Sequence, residues 1–315
     1  MKAVVVRHFG GPENLTIEEV EDPVPLENEV IIDVEYAGVG LVDTIMRKGK
    51  FDFVQRPFVP GIEVSGRIKA IGDGVSNLLP GQAVAALLTD FSTGGMGGYA
   101  QVTRAQAALT VAVPDEADLA AAAAMVVNGA TAFMATEALS PGARVAISGA
   151  SGGLGQALLI AARSAGATEI IAVTRNAARH EALRALGATS IITPEEFAKV
   201  SLDVAFDTTG GHMRQRLAHS LRPRGVLMLL GNASGQDTPL SGDAVWLQSL
   251  TIKGLSVGGL SHLEPARIAG AAARALAAIS SSPIGYSALP FEQVQQAHHA
   301  LEEGQGPGKF ILRID

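Results

Sequence analysis

The stretch Arg144-Val-Ala-Ile-Ser148-Gly149-Ala-Ser-Gly152-Gly153-Leu-Gly155, followed by the Ala- and Leu-rich run 156–165, decides the reading of this chain. An apolar strand that runs into glycines lets the backbone turn sharply and approach a ligand without Cβ clashes. The helix that follows aims unpaired N–H groups and a partial positive charge at the turn, which suits a pyrophosphate. Ser151, Gly152, Gly153 and Leu154 are therefore candidate cofactor-binding residues. The G-x-x-G-x-x-G spacing departs from the commoner G-x-G-x-x-G, and glycines between a strand and a helix also serve as plain tight connections.

Downstream, β-rich runs alternate with helical ones. Glu169–Thr174, Ser190–Ile192, Leu202–Asp207 and Gly225–Gly231 read as strands, and His180–Leu186, closed by Gly187, reads as a helix. Strands that are continuous apolar runs are buried on both faces between helix layers. The order predicts an α/β fold with a doubly wound parallel sheet, whose ligands bind beyond the carboxyl ends of the strands.

Charge suggests which dinucleotide. An NAD site carries an acid about 20 residues after the glycines, whereas here that place is Thr174-Arg175-Asn176, with no acid from Ile170 to His180. Arg175 and Arg179 flank the start of the next helix, where a cation is unfavourable unless an anion is near. A ribose 2′-phosphate would be that anion, and a guanidinium fork suits it. Thr174, Arg175 and Arg179 are thus candidate NADPH contacts, against the plainer reading of two solvated surface arginines.

The two ends of the chain look different. Glu29–Tyr36 and Val64–Ile71 alternate polar with apolar residues, the signature of half-buried antiparallel strands. Glycine and proline punctuate this region, which reads as a β-rich, partly open barrel. After the nucleotide domain come a helix over Pro265–Ile279, another around Phe291–Glu303 and a closing strand over Lys309–Ile314. These are too few for a core of their own, so they are expected to return to the first domain.

At this point the chain resembles the medium-chain dehydrogenase/reductases, and among them the zinc-independent quinone oxidoreductases related to zeta-crystallin. The resemblance runs nearly end to end. It is carried by the runs 38–49, 58–66 and 97–100, by Gly129-Ala-Thr131-Ala-Phe, by the Gly149–Gly155 loop, and by Phe206-Asp207-Thr-Thr-Gly210-Gly211, Leu230-Gly231-Asn232 and Gly308-Lys309. It implies a GroES-like catalytic domain over 1–122, completed by 259–315, around a Rossmann dinucleotide-binding domain over 123–258, with the active site in the cleft between them. It also implies hydride transfer from NADPH, Thr131, Gly231, Asn232 and Lys309 as further cofactor contacts, and a homodimer formed by pairing sheet edges, for which Thr251–Val257 is the candidate strand.

No cysteine is present, so neither a thiolate catalytic zinc nor a four-cysteine structural lobe can be built. Where zinc-dependent relatives carry Cys-His and Gly-His-Glu, this chain has Gly40-Leu41 and Gly61-Ile62-Glu63. The expectation is a metal-free site. Without a Lewis acid an alkoxide has nothing to stabilise it, which disfavours alcohol oxidation. A quinone or α,β-unsaturated carbonyl takes hydride at carbon and spreads the charge to oxygen. The protein then mainly orients the reactants. Close quinone reductase relatives have Asn where Gly40 stands and Tyr where Ile45 stands, so the acceptor side is expected to be less polar. Gly40, Asp43, Ile45 and Thr131 are the candidate lining residues, with no certain acid or base among them. For Asp43 a purely structural role, fixing its own loop, is equally open.

Whole-chain properties suit a soluble, cytoplasmic oxidoreductase. The net charge of −7 and pI near 5.5 argue against a nucleic-acid surface. The opening Met1–Arg7 reads as a strand, too short and wrongly flanked for a signal peptide. Leu119–Val127 reads as a buried Ala-rich helix broken at Asn128 rather than a membrane span. Two other functions share the cofactor machinery: an NADPH-binding redox sensor with little turnover, and an enoyl-thioester reductase.

Overall fold

The computed structural model describes residues 1–89, 91, 95–115, 117–198, 200–306 and 308–314. The chain forms two compact units, one of Met1–Ala130, Gly258–Ser280 and Gly285–Asp315, the other of Thr131–Val257 and Ser281–Ile284. In chain order the strands are β1 (Lys2–Val6), β2 (Leu15–Glu19), β3 (Glu29–Val39), β4 (Glu63–Ile71), β5 (Ala83–Leu87), β6 (Val102–Gln106), β7 (Thr110–Ala112), β8 (Arg144–Ser148), β9 (Glu169–Val173), β10 (Ser190–Ile192), β11 (Leu202–Asp207), β12 (Leu221–Leu229), β13 (Thr251–Gly254), β14 (Ser287–Pro290) and β15 (Phe310–Arg313). The α-helices are α1 (Leu41–Arg47), α2 (Leu119–Ala135), α3 (Gly153–Ser164), α4 (His180–Leu186), α5 (Gly211–His219), α6 (Gly242–Leu247), α7 (Val257–Leu260), α8 (Pro265–Ile279) and α9 (Val294–Glu302).

In the first unit, β3 is the organising strand of a seven-stranded sheet. One of its edges pairs along its length with β4, while the other is shared between β6, at Glu29–Asp33, and β15, at Tyr36–Val39. The alternation of β3 buries one face against Val4, Phe58, Tyr99 and Phe310. The closing strand β15 thus pairs with β3 in the first unit. Register then decides what meets at one end of the sheet. Val39 faces Phe310 and Ala37 faces Val64, so Gly40, Lys309 and Glu63, each one residue beyond a paired position, come together there.

The second unit holds a six-stranded, all-parallel sheet in the order β10-β9-β8-β11-β12-β13. Numbered within the unit this is 3-2-1-4-5-6, the doubly wound order, whose switch point lies between β8 and β11. Strands β8 and β9 are buried along four of their five residues, as expected for runs covered on both faces. Their apolar side chains, with those of β11, pack with Phe197, Leu217 and Leu227. Helix α4 spans the expected residues and stops where Gly187 takes φ +123°.

Several boundaries differ from the sequence reading: the edge strand expected over Thr251–Val257 ends at Gly254, with Val257 opening α7, and two further differences have a local cause. Helix α2 does not break at Asn128 but continues to Ala135, because the Asn128 amide donates to the Ala124 carbonyl four residues back instead of competing with the helix. Strand β12 starts at Leu221 rather than Gly225: Leu221 pairs with Leu202, the register shifts, and exposed Pro223 is accommodated in the irregular stretch. Among the described residues no helix is long and apolar enough to cross a membrane.

The glycine turn is packed as tightly as its sequence suggests. A Cβ on Gly155 would stand 2.3 Å from the Gly149 carbonyl oxygen and 2.6 Å from the Ala150 Cα, both backbone atoms, whereas one on Gly152 would meet only the Gly149 oxygen at 3.3 Å. Gly155→Ala is expected to cost about 1–3 kcal/mol in chemical denaturation, and Gly152→Ala clearly less. Equal losses would show that the close approach of α3 to its turn is not what the glycine serves.

Candidate active site

The candidate nucleotide residues of the second unit lie after the carboxyl ends of parallel strands. Ser151, Gly152, Gly153 and Leu154 follow β8, Thr174, Arg175 and Arg179 follow β9, and Gly231 and Asn232 follow β12. Helix α3 begins at Gly153 with Gly152 as its cap, and no side chain satisfies its first N–H groups. A 12-residue helix so presented offers bare donors to an anion. The Thr174 hydroxyl donates to the Ser151 hydroxyl at 2.9 Å, tying the two loops together.

Beside this pair, Arg179 donates from Nη2 to Oε1 of the buried Gln156 at 3.1 Å, and Gln156 donates to the Ser151 carbonyl at 3.3 Å. The Arg179 Nε is buried without a hydrogen-bond partner. A buried donor left unmade is costly, and here it is a cation's donor in a loop with no acid. Arg175 is exposed. At the switch point, Ser148 and Thr209 bond Asp207, and Thr208 donates to the Ser148 carbonyl at 2.7 Å, so the turns after β8 and β11 are laced together. Arg214 pairs with the fully buried Asp207 at 2.8 Å. Thr131 is buried in α2.

The first unit gathers a different set. Asp43, fully buried in the first turn of α1, accepts from the Gly40 N–H at 2.8 Å and from the Gly61 N–H at 3.0 Å. Its carboxylate therefore ties two glycine loops. Burial raises its pKa to about 6, against the pull of these donors and of the Lys309 charge. Ile45 is half-buried on the same helix. Lys309 lies in this unit and donates to Glu63, whose other oxygen accepts from the Val127 N–H at 3.4 Å. Burial pushes the Glu63 carboxyl up, and the Lys309 ammonium works against the rise.

Sequence reasoning gave no role to the chain of polar groups behind Asp43. Arg47 Nη1 meets His298 Nδ1 at 3.2 Å, and His298 Nε2 meets the Tyr99 hydroxyl at 3.1 Å. All three side chains are fully buried. A guanidinium only donates, so Nδ1 accepts, Nε2 carries the proton, and the Tyr99 hydroxyl accepts it while donating onward to Asp43. Burial, with the charges of Arg47 and Lys48, lowers the His298 pKa to about 3, so the ring is neutral. Arg47 is itself balanced by Glu302 at 2.5 Å and by the Gly10 carbonyl at 3.0 Å. The only sequence signal was a pair of adjacent histidines, one of which, His298, is core.

Asp43 and His298 act on stability with opposite signs. His298 is ordinary at 6.5 when unfolded and about 3 when folded, so its contribution is whole above 6.5 and lost as pH falls. Asp43 goes from 3.8 to about 6, so its contribution is whole below 3.8 and lost as pH rises through 6. Asp43→Asn removes only the second. Between pH 4 and 6 its stability should therefore climb relative to the parent by up to about 1.4 kcal/mol per pH unit, read from denaturation midpoints. Parallel profiles would contradict the buried-acid assignment. Tyr99→Phe, which strands the His298 N–H, should cost about 1–3 kcal/mol.

Comparison with known proteins places this architecture. Residues 26–115 match the family described as "Alcohol dehydrogenase GroES-like domain" and residues 153–275 the family described as "Zinc-binding dehydrogenase". A quinone oxidoreductase of Lama guanicoe is 29% identical over 330 residues, covering all of this chain and 98% of the relative. A 2-haloacrylate reductase of a Burkholderia species is 30% identical over 256 residues, covering 76% of this chain and 75% of the relative. Among solved structures, a mycobacterial protein complexed with NADPH superposes with a TM-score of 0.89 at 26% identity over the whole of both chains. The chain belongs to the medium-chain dehydrogenase/reductases, as an oxidoreductase of the zinc-independent, quinone oxidoreductase-like kind.

Proposed function

We propose that this protein is a cytoplasmic, NADPH-dependent reductase that transfers hydride to a quinone or an α,β-unsaturated carbonyl. The observation that carries the cofactor assignment is Arg179. Its buried, partnerless Nε lies in a loop without acids, next to the Ser151–Thr174 hydroxyl pair. A 2′-phosphate would satisfy that donor and neutralise the cation, and the complex of the mycobacterial relative with NADPH supports the same choice.

The residues divide the work. The N–H groups of Gly153 and Leu154 at the start of α3, with Ser151 and Gly152, would hold the pyrophosphate, and Gly155 keeps the helix close enough to do so. Thr174, Arg175 and Arg179 would hold the adenosine ribose and its phosphate. Gly231, Asn232 and Thr131 are the proposed contacts of the nicotinamide half. When bound, NADPH supplies the hydride. Gly40, Asp43 and Ile45 belong to the acceptor side in this reading, with Asp43 as a positioning group whose oxygens are already taken by Gly40 and Gly61. The names of the curated relatives, a quinone oxidoreductase and a 2-haloacrylate reductase, both denote reduction of electron-poor acceptors and support this class of substrate.

We further propose a homodimer. Strand β13 ends the parallel sheet and pairs only with β12 among the described strands, which leaves a backbone edge for a second copy. Sedimentation should report about twice the 32.4 kDa chain mass; a monomer at micromolar concentration contradicts it.

An acceptor panel tests the activity. Benzoquinone and 2-cyclohexen-1-one should each consume NADPH, with NADH much poorer. Turnover only with acyl thioesters would make it an enoyl-thioester reductase, and tight NADPH binding without turnover would make it a redox sensor. Replacing Arg175 and Arg179 together by Ala should raise the KM for NADPH at least tenfold and leave that for NADH little changed. Equal weakening of both cofactors would refute the phosphate clamp.

A further inference from the structure

Arg179 is seated on an amide rather than on an acid. Gln156, the fourth residue of α3 and fully buried, accepts from Arg179 Nη2 at 3.1 Å and donates from Nε2 to the Ser151 carbonyl at 3.3 Å. Both ends of the amide are fixed by what they meet. A guanidinium only donates and a carbonyl only accepts, so the amide oxygen must face Arg179 and the amide nitrogen Ser151. A leucine here would bond neither partner. A glutamate would bond Arg179 but turn an acceptor towards the Ser151 carbonyl.

The same serine anchors the arginine by a second route. Its hydroxyl accepts from the Thr174 hydroxyl at 2.9 Å, the Thr174 oxygen accepts from the Asn176 N–H at 3.1 Å, and the Asn176 carbonyl accepts from the Arg179 N–H at 3.2 Å. The backbone of Arg179 and its guanidinium are therefore both referred back to Ser151, one through the loop after β9 and the other through α3. A long side chain ordered in advance loses less freedom when a ligand arrives. The amide also does what an acid could not, because it holds the guanidinium without neutralising it. The loop adds no acid between Ile170 and His180, and the Arg179 Nε is buried without a hydrogen-bond partner. The positive charge and a donor are left for a ligand anion.

We propose that Gln156 is a specificity-determining residue, which aims Arg179 at the ribose 2′-phosphate and, being neutral, reserves the charge of the arginine for it. This inference rests on the NADPH reading above and concerns the second unit alone. Gln156 acts through Arg179 and is a positioning residue, not a catalytic one. Gln156→Glu gives Arg179 an anion of its own, which competes with the phosphate for the same charge. Gln156→Leu withdraws the seat and lets the guanidinium swing towards solvent.

The test reads binding alone. Nicotinamide fluorescence follows the titration of NADPH and of NADH into the protein with no acceptor present. The parent should prefer NADPH. Gln156→Leu should weaken NADPH roughly tenfold and Gln156→Glu roughly ten- to a hundredfold, each leaving NADH little changed. In an Arg179→Ala background neither substitution should shift the ratio of the two affinities further, since the residue acts through the arginine. Gln156→Met, which fills the same buried space with an unbranched apolar chain, serves as the comparison if Gln156→Leu does not fold. A preference for NADPH that survives in both variants, an equal weakening of NADPH and NADH, or an undiminished effect in the Arg179→Ala background would each overturn the assignment, the second by making Gln156 a brace of the glycine turn. A parent that binds the two cofactors equally would sink the 2′-phosphate reading itself, and this role with it, before any variant is measured.

Discussion

The second unit depends on one close approach, that of Gly155 to the carbonyl of Gly149. Only without a Cβ can α3 settle against the turn that ends β8, and that seat directs its uncapped N–H groups past the carboxyl end of the sheet. The neighbouring strands then contribute what the helix lacks. Thr174 after β9 bonds Ser151 in the turn, Arg179 leans on Gln156 from α3 itself, and Ser148 and Asp207 hold the β8 and β11 loops at the switch point. A local steric permission is thereby converted into an edge of uncapped donors and hydrogen-bonded loops assembled from three strands.

The first unit solves a harder electrostatic problem. It buries Asp43, Arg47, Glu63, Tyr99, His298 and Lys309 almost completely, where unpaired polar groups are costly. Each is matched: Lys309 with Glu63, Arg47 with Glu302, and Arg47, His298, Tyr99 and Asp43 in a chain whose donors all point one way. A fully satisfied network of this kind rigidifies what it touches. Here it touches the loops of Gly40 and Gly61, whose backbone N–H groups are clamped to one carboxylate.

Legibility followed sequence distance. The parallel strands were readable because short, unbroken apolar runs between glycines and helical stretches suit a strand covered on both faces and little else, and α4 and α8 because Gly187 closes one and Pro265 opens the other. Local propensity erred where a side chain changed sides, as when Asn128 bonds its own helix instead of ending it. The buried network was invisible for a different reason. Arg47 and His298 are 251 residues apart, and Glu63 and Lys309 are 246 apart, so no spacing rule joins them; the packing of α1 against α9 joins the first pair, and the pairing of β15 with β3 and of β3 with β4 the second. The nucleotide loop lay between these extremes, since the glycines, Ser151, Thr174 and the missing acid could be read locally, whereas the orphaned Arg179 donor needed a fold to be seen.

The central claim is that the loop after β9 grips a ribose 2′-phosphate, and the adenosine fragment alone isolates it. Calorimetry of the unmodified protein with 2′,5′-ADP and with 5′-ADP compares ligands that differ by that one group. The account requires 2′,5′-ADP to bind at least about tenfold more tightly, with the difference shrinking as salt is raised. Equal affinities, or a preference for 5′-ADP, would contradict it.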